Sequence, residues 1–254
     1  MKNMIQIKGI SIGEGKPKIV VPIVGKTKSA ILESAVSFEH EKNDMVEWRI
    51  DFYEDALNVE KVLDTLEAIR EIIPKTPLIA TFRTQNEGGE KAITTTEYCD
   101  LNKALAASGH VDIVDVELFS GDEVVREIIN YCHEHRVFAV ASNHEFTLTP
   151  PKSVLIERLC KMESLGADLL KIAVMPTCTE DVLTLLDATQ EMYKNHTKCP
   201  LVTMSMSPLG VMSRMAGEIF GSALTFGAVG QVSAPGQISV EKLETVLQII
   251  HDAI

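Results

Sequence analysis

Short apolar segments alternate with amphipathic segments along almost the whole chain, and this alternation is the strongest constraint on its fold. The apolar segments are rich in β-branched residues, as buried parallel strands are, and they cover residues 18–25, 46–51, 77–83, 112–118, 138–144, 169–176, 200–207 and 223–229. Amphipathic segments lie between them, and in residues 59–73 the apolar side chains recur along one helix face. Eight strand–helix units of about 25–35 residues each predict an α/β fold, the (β/α)8 TIM barrel.

The first residues fall outside this repeat. Residues 5–15 (IQIKGISIGEG) alternate between apolar and polar side chains like a small β-hairpin, and we expect this hairpin to close the bottom of the barrel. No segment rich in Pro, Gly or Ser divides the chain, so residues 1–254 are predicted to form a single domain. A doubly wound open sheet is the competing architecture, but no glycine fingerprint follows the first strand.

The charge of the chain limits its partners. The sequence has 24 Lys and Arg against 36 Asp and Glu, a net charge of −12, with no basic tail or cluster. Nucleic-acid binding needs positive surface and is therefore disfavoured. No apolar run is long enough to span a bilayer, and the N-terminal residues lack the apolar core of a signal peptide. We expect a cytoplasmic protein without a membrane partner, which would bind an anionic ligand through a local group of arginines.

The five cysteines are Cys99, Cys132, Cys160, Cys178 and Cys199, and they form no C-x-x-C pair or zinc-module spacing. They are predicted to be free thiols in a reducing compartment, and no metal site is expected. Cys178, in the sequence PTCTED, stands at a predicted helix start, where the pKa of a thiol can fall. A small residue in a first helical turn is the simpler interpretation of this cysteine.

Polar side chains in the predicted strands concentrate near the carboxyl ends. Alternate residues of a strand share a face, and this parity pairs Glu47 with Arg49 and Asp51, Thr81 with Arg83, Asp115 with Glu117, Ser142 with His144, and Met204 with Met206. Active sites of barrels lie at the carboxyl ends of the strands. Parity and position together therefore predict one polar site at that end of the barrel.

Each of these residues also has a simpler interpretation. A single charge near a strand end is usually a solvated rim residue, and Asp115 and Glu117 could merely neutralise neighbouring arginines. His144 alone could be a buried core histidine, and Met204 could be core filler. Taken together, these simpler interpretations are less convincing, because unrelated polar residues would not all lie at the same end of the barrel by chance.

Lys171 is the one polar side chain of the apolar segment LLKIAVMP, residues 169–176. An unpaired buried ammonium is costly, so we expect its pKa to be depressed. A neutral amine can attack a carbonyl and form a Schiff base, with His144 as the acid–base and Glu87 fixing the histidine tautomer. The residues that suit a substrate carboxylate are Arg49, Arg83 and Arg214. This set predicts carbonyl chemistry, either elimination or aldol cleavage.

Several motifs carry a family resemblance over nearly the whole chain: EWRID, TFRTQNEGGE, DVELF followed by ASNHEF, LLKIAVMP, VTMSMSPLGVMSRMAGEIFGSALTFGAV and SAPGQIS. Through them the chain resembles the Schiff-base-forming (type I) 3-dehydroquinate dehydratases of the shikimate pathway of aromatic amino acid biosynthesis. The resemblance implies a hydro-lyase that converts 3-dehydroquinate to 3-dehydroshikimate in a TIM barrel. It also implies that no metal or organic cofactor is needed and that the protein is a homodimer.

The resemblance further implies roles for individual residues. Lys171 would form the imine with the substrate ketone, while His144 would remove the C2 proton, assist departure of the C1 hydroxyl as water, and help make and break the imine. Glu87 would orient His144, and Arg214 would bind the substrate carboxylate. The residues expected to hold the hydroxyls and close a loop over the site are Glu47, Arg49, Arg83, Ser233 and Gln237, and those expected to line it are Met204 and Phe226.

The glycine-rich segment 220–237 (FGSALTFGAVGQVSAPGQ) follows the seventh predicted strand and contains the eighth. Barrels often bind phosphate in this region, so a phosphate cradle is one interpretation. We favour a mobile lid that excludes water, with Ser233 and Gln237 as its hydrogen-bonding tips. A class I aldolase and a non-catalytic ligand-binding barrel remain as alternative functions.

Overall fold

The computed structural model describes residues 2–38, 43–229 and 238–254. A β-hairpin comes first, formed by β1 (Ile5–Ile7) and β2 (Ile10–Ile12). Further strands follow where the apolar segments predict them: β3 (Lys18–Ile23), β4 (Met45–Arg49), β5 (Leu78–Thr81), β6 (Ile113–Glu117), β7 (Phe138–Glu145), β8 (Leu169–Val174), β9 (Leu201–Ser205) and β10 (Leu224–Ala228). A short strand, β11 (Ile238–Ser239), pairs with β10 in parallel.

Helices alternate with these strands: α1 (Lys28–Phe38), α2 (Val59–Ile72), α3 (Thr95–Ala107), α4 (Asp122–Glu134), α5 (Lys152–Ser164), α6 (Thr179–Glu191), α7 (Val211–Met215), α8 (Gly217–Phe220) and α9 (Val240–His251). Local signals explain where helices begin. Asn58 caps α2 by accepting the backbone N–H of Lys61, and Thr94 and Glu97 form a capping box at the start of α3. Among the described residues, no helix is long and apolar enough to cross a membrane.

The strands form a ring in chain order. Strands β3 to β8 each pair in parallel with the next strand along the chain, and β10 pairs in parallel with β3. Between β9 and β10, the backbone N–H of Ala223 donates to the carbonyl oxygen of Leu201 at 2.7 Å. This topology confirms the (β/α)8 barrel and excludes the open sheet, in which the strand order reverses at a switch point.

The hairpin covers the amino-terminal end of the barrel, as predicted. Its turn residues Lys8 and Gly9 both have positive φ, 48° and 84°, which suits a two-residue hairpin turn. The buried side chains of Ile5, Ile7 and Ile12 pack against a layer of barrel-lining residues: Val20, Met45, Ile79, Ile113, Val140, Leu169, Val202 and Leu224. The carboxyl ends of the strands are therefore the end at which a ligand can enter.

The other apolar core lies between the strands and the helices. On β4, Trp48 belongs to this outer core and is completely buried, whereas Glu47 and Arg49 line a cavity inside the barrel. The period of two along the strand thus separates apolar outer residues from polar inner ones. This separation positions the polar residues of several strands around one cavity.

Candidate active site

A cavity of about 260 Å³ opens at the carboxyl ends of the strands. The predicted site residues that lie in the described part of the chain all line it: Glu47, Arg49, Arg83, Glu87, His144, Lys171, Met204, Arg214 and Phe226. The other two, Ser233 and Gln237, lie outside the described residues, as do all of residues 230–237 of the predicted lid. The structure thus brings together side chains that are up to 179 positions apart in the sequence, from Glu47 to Phe226.

Lys171, on β8, has a buried side chain with charged partners. Its Nζ lies 3.0 Å from Asp115 Oδ2 and 3.2 Å from Glu47 Oε1, and 4.9 Å from the centre of the Phe226 ring. The sequence-based premise that this ammonium is unpaired is wrong. Its partners come from β4 and β6, 124 and 56 residues away, and two carboxylates compensate the buried charge that seemed isolated in an apolar segment.

Arg83 is the positive centre of a buried network behind the lysine. It donates to Asp115 Oδ1 and Glu117 Oε1, both at 2.8 Å, and to Ser142 Oγ at 3.1 Å. Burial raises the pKa of Asp115, but the positive charges of Arg83 and Lys171 lower it by more than burial raises it. The resulting pKa lies well below the usual range. Burial lowers the pKa of Arg83, but the facing carboxylates outweigh it and hold that pKa well above the usual value. Asp115 and Glu117 therefore neutralise an arginine, which is the simpler interpretation of these two residues from the sequence.

His144, on β7, is oriented by Glu87. Glu87 Oε2 lies 3.0 Å from His144 Nδ1 and also accepts the backbone N–H of His144 at 2.9 Å. Glu87 belongs to a single 3-10 turn, Gln85–Glu87, in the loop that follows β5. This double contact fixes the imidazole by its Nδ1 edge, so its Nε2 edge is the one left for proton transfer.

Burial shifts both members of this pair toward their neutral forms. It lowers the pKa of His144 well below the usual range, with Arg83 and Lys171 acting in the same direction. It also raises the pKa of Glu87 to about 7, against the opposing effect of Arg83. A neutral imidazole whose Nδ1–H is donated to a carboxylate has its lone pair on Nε2 and can act as a general base.

Strand register sets the relation between the lysine and the histidine. In the parallel pair of β7 and β8, Ser142 is level with Lys171 and His144 is level with Ala173. The Cα atom of His144 therefore lies one side-chain repeat closer to the carboxyl ends of the strands than the Cα atom of Lys171. A molecule bonded to Lys171 would pass His144 on its way out of the barrel.

The remaining predicted residues form the walls. Arg49 makes a bidentate pair with Asp51, with both N–O distances at 2.8 Å, and its guanidinium lies over the Phe52 ring. Arg214, on α7, is buried, and burial lowers its pKa to about 10. The soft apolar part of the wall consists of Met204, Met206 and Phe226.

Two residues next to the histidine were missed by the sequence analysis. Asn143 lies on the opposite face of β7 by parity, yet its Nδ2 donates to Glu87 Oε1 at 3.2 Å. The Phe146 ring stacks on His144, with ring centres 6.5 Å apart, and closely approaches Gly88, where an added Cβ would lie 2.4 Å from the ring. The glycine pair in QNEGGE was the available signal for that close approach.

The cysteines take no part in this site. All five are free, with Cys99 and Cys132 buried in the outer core. Cys178 is exposed and is the N-cap residue of α6, at the predicted helix start. In the part of the chain that the structure describes, no group of three or more His, Cys, Asp or Glu side chains is arranged to hold a metal ion.

Comparison with curated proteins shows full-length relatives. A 3-dehydroquinate dehydratase of Clostridioides difficile (strain 630) is 51% identical over 254 residues and covers 100% of both chains. A 3-dehydroquinate dehydratase of Salmonella typhimurium (strain LT2) is 50% identical over 249 residues, which is 98% of this chain and 99% of the relative.

Solved structures show the same similarity in three dimensions. A crystal structure of the type I 3-dehydroquinate dehydratase from Clostridium difficile with covalently modified comenic acid matches with a TM-score of 0.98 at 51% identity, over 100% of each chain. The 3-dehydroquinate dehydratase of Enterococcus faecalis matches with a TM-score of 0.91 at 41% identity, over 96% of this chain and 98% of that one. The model of the type I 3-dehydroquinase family matches residues 19–254. The chain therefore belongs to the type I 3-dehydroquinase family.

Proposed function

We propose that this chain dehydrates 3-dehydroquinate to 3-dehydroshikimate through an imine on Lys171, as a hydro-lyase of the shikimate pathway. The observation that carries the proposal is that a buried lysine and a neutral histidine line one cavity from adjacent strands, with the Cα atom of His144 one side-chain repeat beyond that of Lys171 toward the carboxyl ends of the strands. Membership of the type I 3-dehydroquinase family supports the substrate and the reaction.

The first step is formation of the imine. The ammonium of Lys171 first gives one proton to neutral His144, and the resulting amine adds to the ketone carbon of the substrate. The carbonyl oxygen then leaves as water after taking one proton from the amine and the proton that His144 received. The product is a protonated imine, whose positive charge lies beside the carboxylates of Asp115 and Glu47. These carboxylates therefore stabilise both the resting ammonium and the cationic intermediate.

The second step is the elimination. Neutral His144 takes the C2 proton, and the electron pair of the broken C–H bond moves into the protonated imine to give an enamine. The enamine then expels the C1 hydroxyl, which leaves as water with a proton returned by His144. Water finally hydrolyses the conjugated imine, which releases 3-dehydroshikimate and restores the lysine. Protons and electrons balance without a cofactor.

The other residues of the cavity bind the substrate or orient His144. Glu87 accepts Nδ1–H of His144 and so keeps the basic lone pair on Nε2. Arg214 would bind the substrate carboxylate, because a guanidinium matches the geometry of a carboxylate. We assign the hydroxyl contacts to Glu47 and Arg49, together with Ser233 and Gln237 of the proposed lid. The relative from Clostridium difficile crystallised with covalently modified comenic acid, which supports covalent chemistry in this family.

We also propose that residues 1–254 act as one domain, that the protein is cytoplasmic, and that it forms the homodimer that the family resemblance implies. Light scattering on the purified protein would give twice the mass of the 27.9 kDa chain. A monomer mass at the concentrations used for assays would contradict the dimer without affecting the proposed reaction.

An ultraviolet assay with 3-dehydroquinate tests the proposed function. The wild type should produce a conjugated enone that absorbs in the ultraviolet, and Lys171→Ala should show no turnover. Lys152→Ala is the matched control, because Lys152 pairs with Asp187 on the outer surface and should leave the rate unchanged. Formation of smaller fragments would indicate an aldolase, and binding without turnover by the wild type would indicate a non-catalytic barrel. Turnover by Lys171→Ala would refute the imine mechanism.

A further inference from the structure

The outer face of β7 carries one polar residue next to the candidate site. Ala139, Ala141 and Asn143 follow one another on this face, and the two alanines pack in the outer apolar core. Asn143 is 2% exposed, so its amide needs partners within the protein. It has two: Nδ2 donates to Glu87 Oε1 at 3.2 Å, and Oδ1 accepts from Arg158 Nη1 at 2.7 Å.

Arg158 determines which way this amide faces. A guanidinium has only donors, so the atom that Asn143 presents to it must be the carbonyl oxygen Oδ1. The amino group of Asn143 must then point at Glu87, where it donates to Oε1. In the reversed orientation, the amide oxygen would face the carboxylate and repel it. Arg158, on α5, thus fixes an amide whose other end holds Glu87.

The two carboxylate oxygens of Glu87 have different hydrogen-bond partners. Oε1 accepts from Asn143, while Oε2 accepts the backbone N–H of His144 and lies 3.0 Å from its Nδ1. A donor on Oε1 favours the carboxylate form of Glu87. Only the carboxylate obliges His144 to carry its proton on Nδ1, because a protonated Glu87 could donate to Nδ1 instead. The hydrogen bond that Asn143 donates to Oε1 therefore determines, through the protonation of Glu87, which nitrogen of His144 is basic.

Other charged groups also face this pair. Those that act on Glu87 are Arg83, 3.7 Å from Oε2, and Glu117, and those that act on His144 are Arg83, Lys171, Asp115 and Arg49. All of them lie on the cavity side or beneath it. Arg158 approaches from the helix layer, where its only other charged contact among the described residues is Glu145, at 3.6 Å. Its substitution can therefore change the amide without removing a cavity residue.

We propose that Arg158 and Asn143 are positioning residues, which act through Glu87 to hold His144 as the Nδ1–H tautomer that the elimination requires. The inference rests on the proposed dehydratase function. Neither residue touches the cavity that would hold the substrate. Their effect should therefore appear in kcat and in its pH dependence, and much less in KM.

The test compares Arg158→Met with the wild type in the dehydration assay over a range of pH. A hydrogen bond to a charged group is strong enough to shift a pKa by about one unit. Its loss favours protonated Glu87, whose pKa in the wild type is about 7, so the acidic limb of the kcat profile should move up by about one pH unit, and kcat at pH 7 should fall about fivefold. Asn143→Asp, which places a second carboxyl group beside Glu87, should shift the limb in the same direction and further.

Two further variants separate this role from a structural one. Arg158→Lys keeps a donor-only head group and should restore most of the wild-type profile. Glu145→Gln removes the other ion pair of Arg158 and leaves the amide contact, so its profile should match the wild type. Equal kcat loss at every pH in Arg158→Met, or a shift in Glu145→Gln as large as in Arg158→Met, would overturn the inference.

A spectroscopic readout is independent of turnover. In protein labelled with ¹⁵N-histidine, the His144 signals, assigned with His144→Gln, report which ring nitrogen carries the proton. The wild type and Glu145→Gln should show the Nδ1–H form at about pH 8, where Glu87 is mostly a carboxylate, and Arg158→Met should lose part of it. Unchanged His144 signals in Arg158→Met would refute the positioning role. If the wild type failed to dehydrate 3-dehydroquinate, the proposed function would fail, and these signals alone would decide the positioning role.

Discussion

Replacing Arg83 with methionine removes the positive centre of the buried network beneath the cavity. The guanidinium is 3% exposed and serves two carboxylates at 2.8 Å, Asp115 and Glu117. Removing one partner of a buried ion pair costs about 3–5 kcal/mol, because the other charge is left uncompensated. We therefore expect Arg83→Met to lower the free energy of unfolding by about 3–5 kcal/mol at pH 7, which is a large part of the stability of an ordinary domain.

This cost should depend on pH. In the wild type, the pKa of Asp115 lies well below its usual range, because Arg83 and Lys171 outweigh burial. A carboxyl group of this kind stabilises the fold above its unfolded pKa, and the contribution disappears as pH falls through the folded pKa. In Arg83→Met, the largest positive charge that opposes the effect of burial on the pKa of Asp115 is absent, so Asp115 takes up a proton at higher pH than in the wild type. The stability difference from the wild type should therefore shrink as pH falls from 7 toward about 4.

Urea unfolding measures both effects. Trp48 is the only tryptophan of the chain and is completely buried, so its fluorescence reports loss of the outer core. Lys28→Met is the control, since it removes a surface ion pair with Asp64 and should cost less than about 1 kcal/mol. A cost for Arg83→Met below about 1 kcal/mol, or a larger cost that stays constant from pH 7 to 4, would refute the reasoning.

Two further predictions concern the surroundings of the site. Gly88→Ala would place a Cβ 2.4 Å from the Phe146 ring at a φ of 80°, so both kcat and the melting temperature should fall. The control is Gly109→Ala, at a φ of 75° with no atom within 4 Å of the added Cβ, which should lower the melting temperature alone. Equal effects of the two substitutions on kcat would contradict this account. Ile12→Ala, in the hairpin that closes the barrel, should lower the free energy of unfolding measured in urea by about 2–5 kcal/mol and leave kcat unchanged. A loss of kcat without a loss of stability would contradict this prediction.

The fold could be predicted because a parallel barrel strand is buried on both faces and reads as an apolar run. Residues 169–176 and the observed strand Leu169–Val174 agree to within two residues. The hairpin was equally visible, since Ile5, Ile7 and Ile12 alternate with polar residues. Local signals of this kind need no knowledge of distant partners.

The cavity residues could be predicted from parity, but their pairing could not. Parity identifies Glu47 and Asp115 as inward-facing, yet only the register among β4, β6 and β8 brings the two carboxylates to the amine of Lys171. An ammonium that seems isolated in the sequence therefore has two ion pairs in the structure. Asn143 was missed for the opposite reason, because its parity points it away from the cavity while Glu87 reaches it from the loop after β5.

The lid and the residue roles remain predictions. Ser233 and Gln237 lie outside the described residues, so their contacts with a substrate rest on the family resemblance. The roles of His144 and Glu87 rest on geometry and on the shifted pKa values of a buried pair. Each of these assignments depends on the covalent step at Lys171.

Borohydride trapping tests that covalent step most directly. Borohydride reduces a protonated imine to a stable secondary amine, so protein treated during turnover of 3-dehydroquinate should carry the reduced adduct on the peptide that contains Lys171. Mass spectrometry of the digested protein identifies the modified residue, with borohydride alone as the control. We predict the adduct on Lys171 and loss of activity in proportion to its formation. Full turnover followed by an unmodified Lys171 peptide, or an adduct on another lysine, would contradict the central claim.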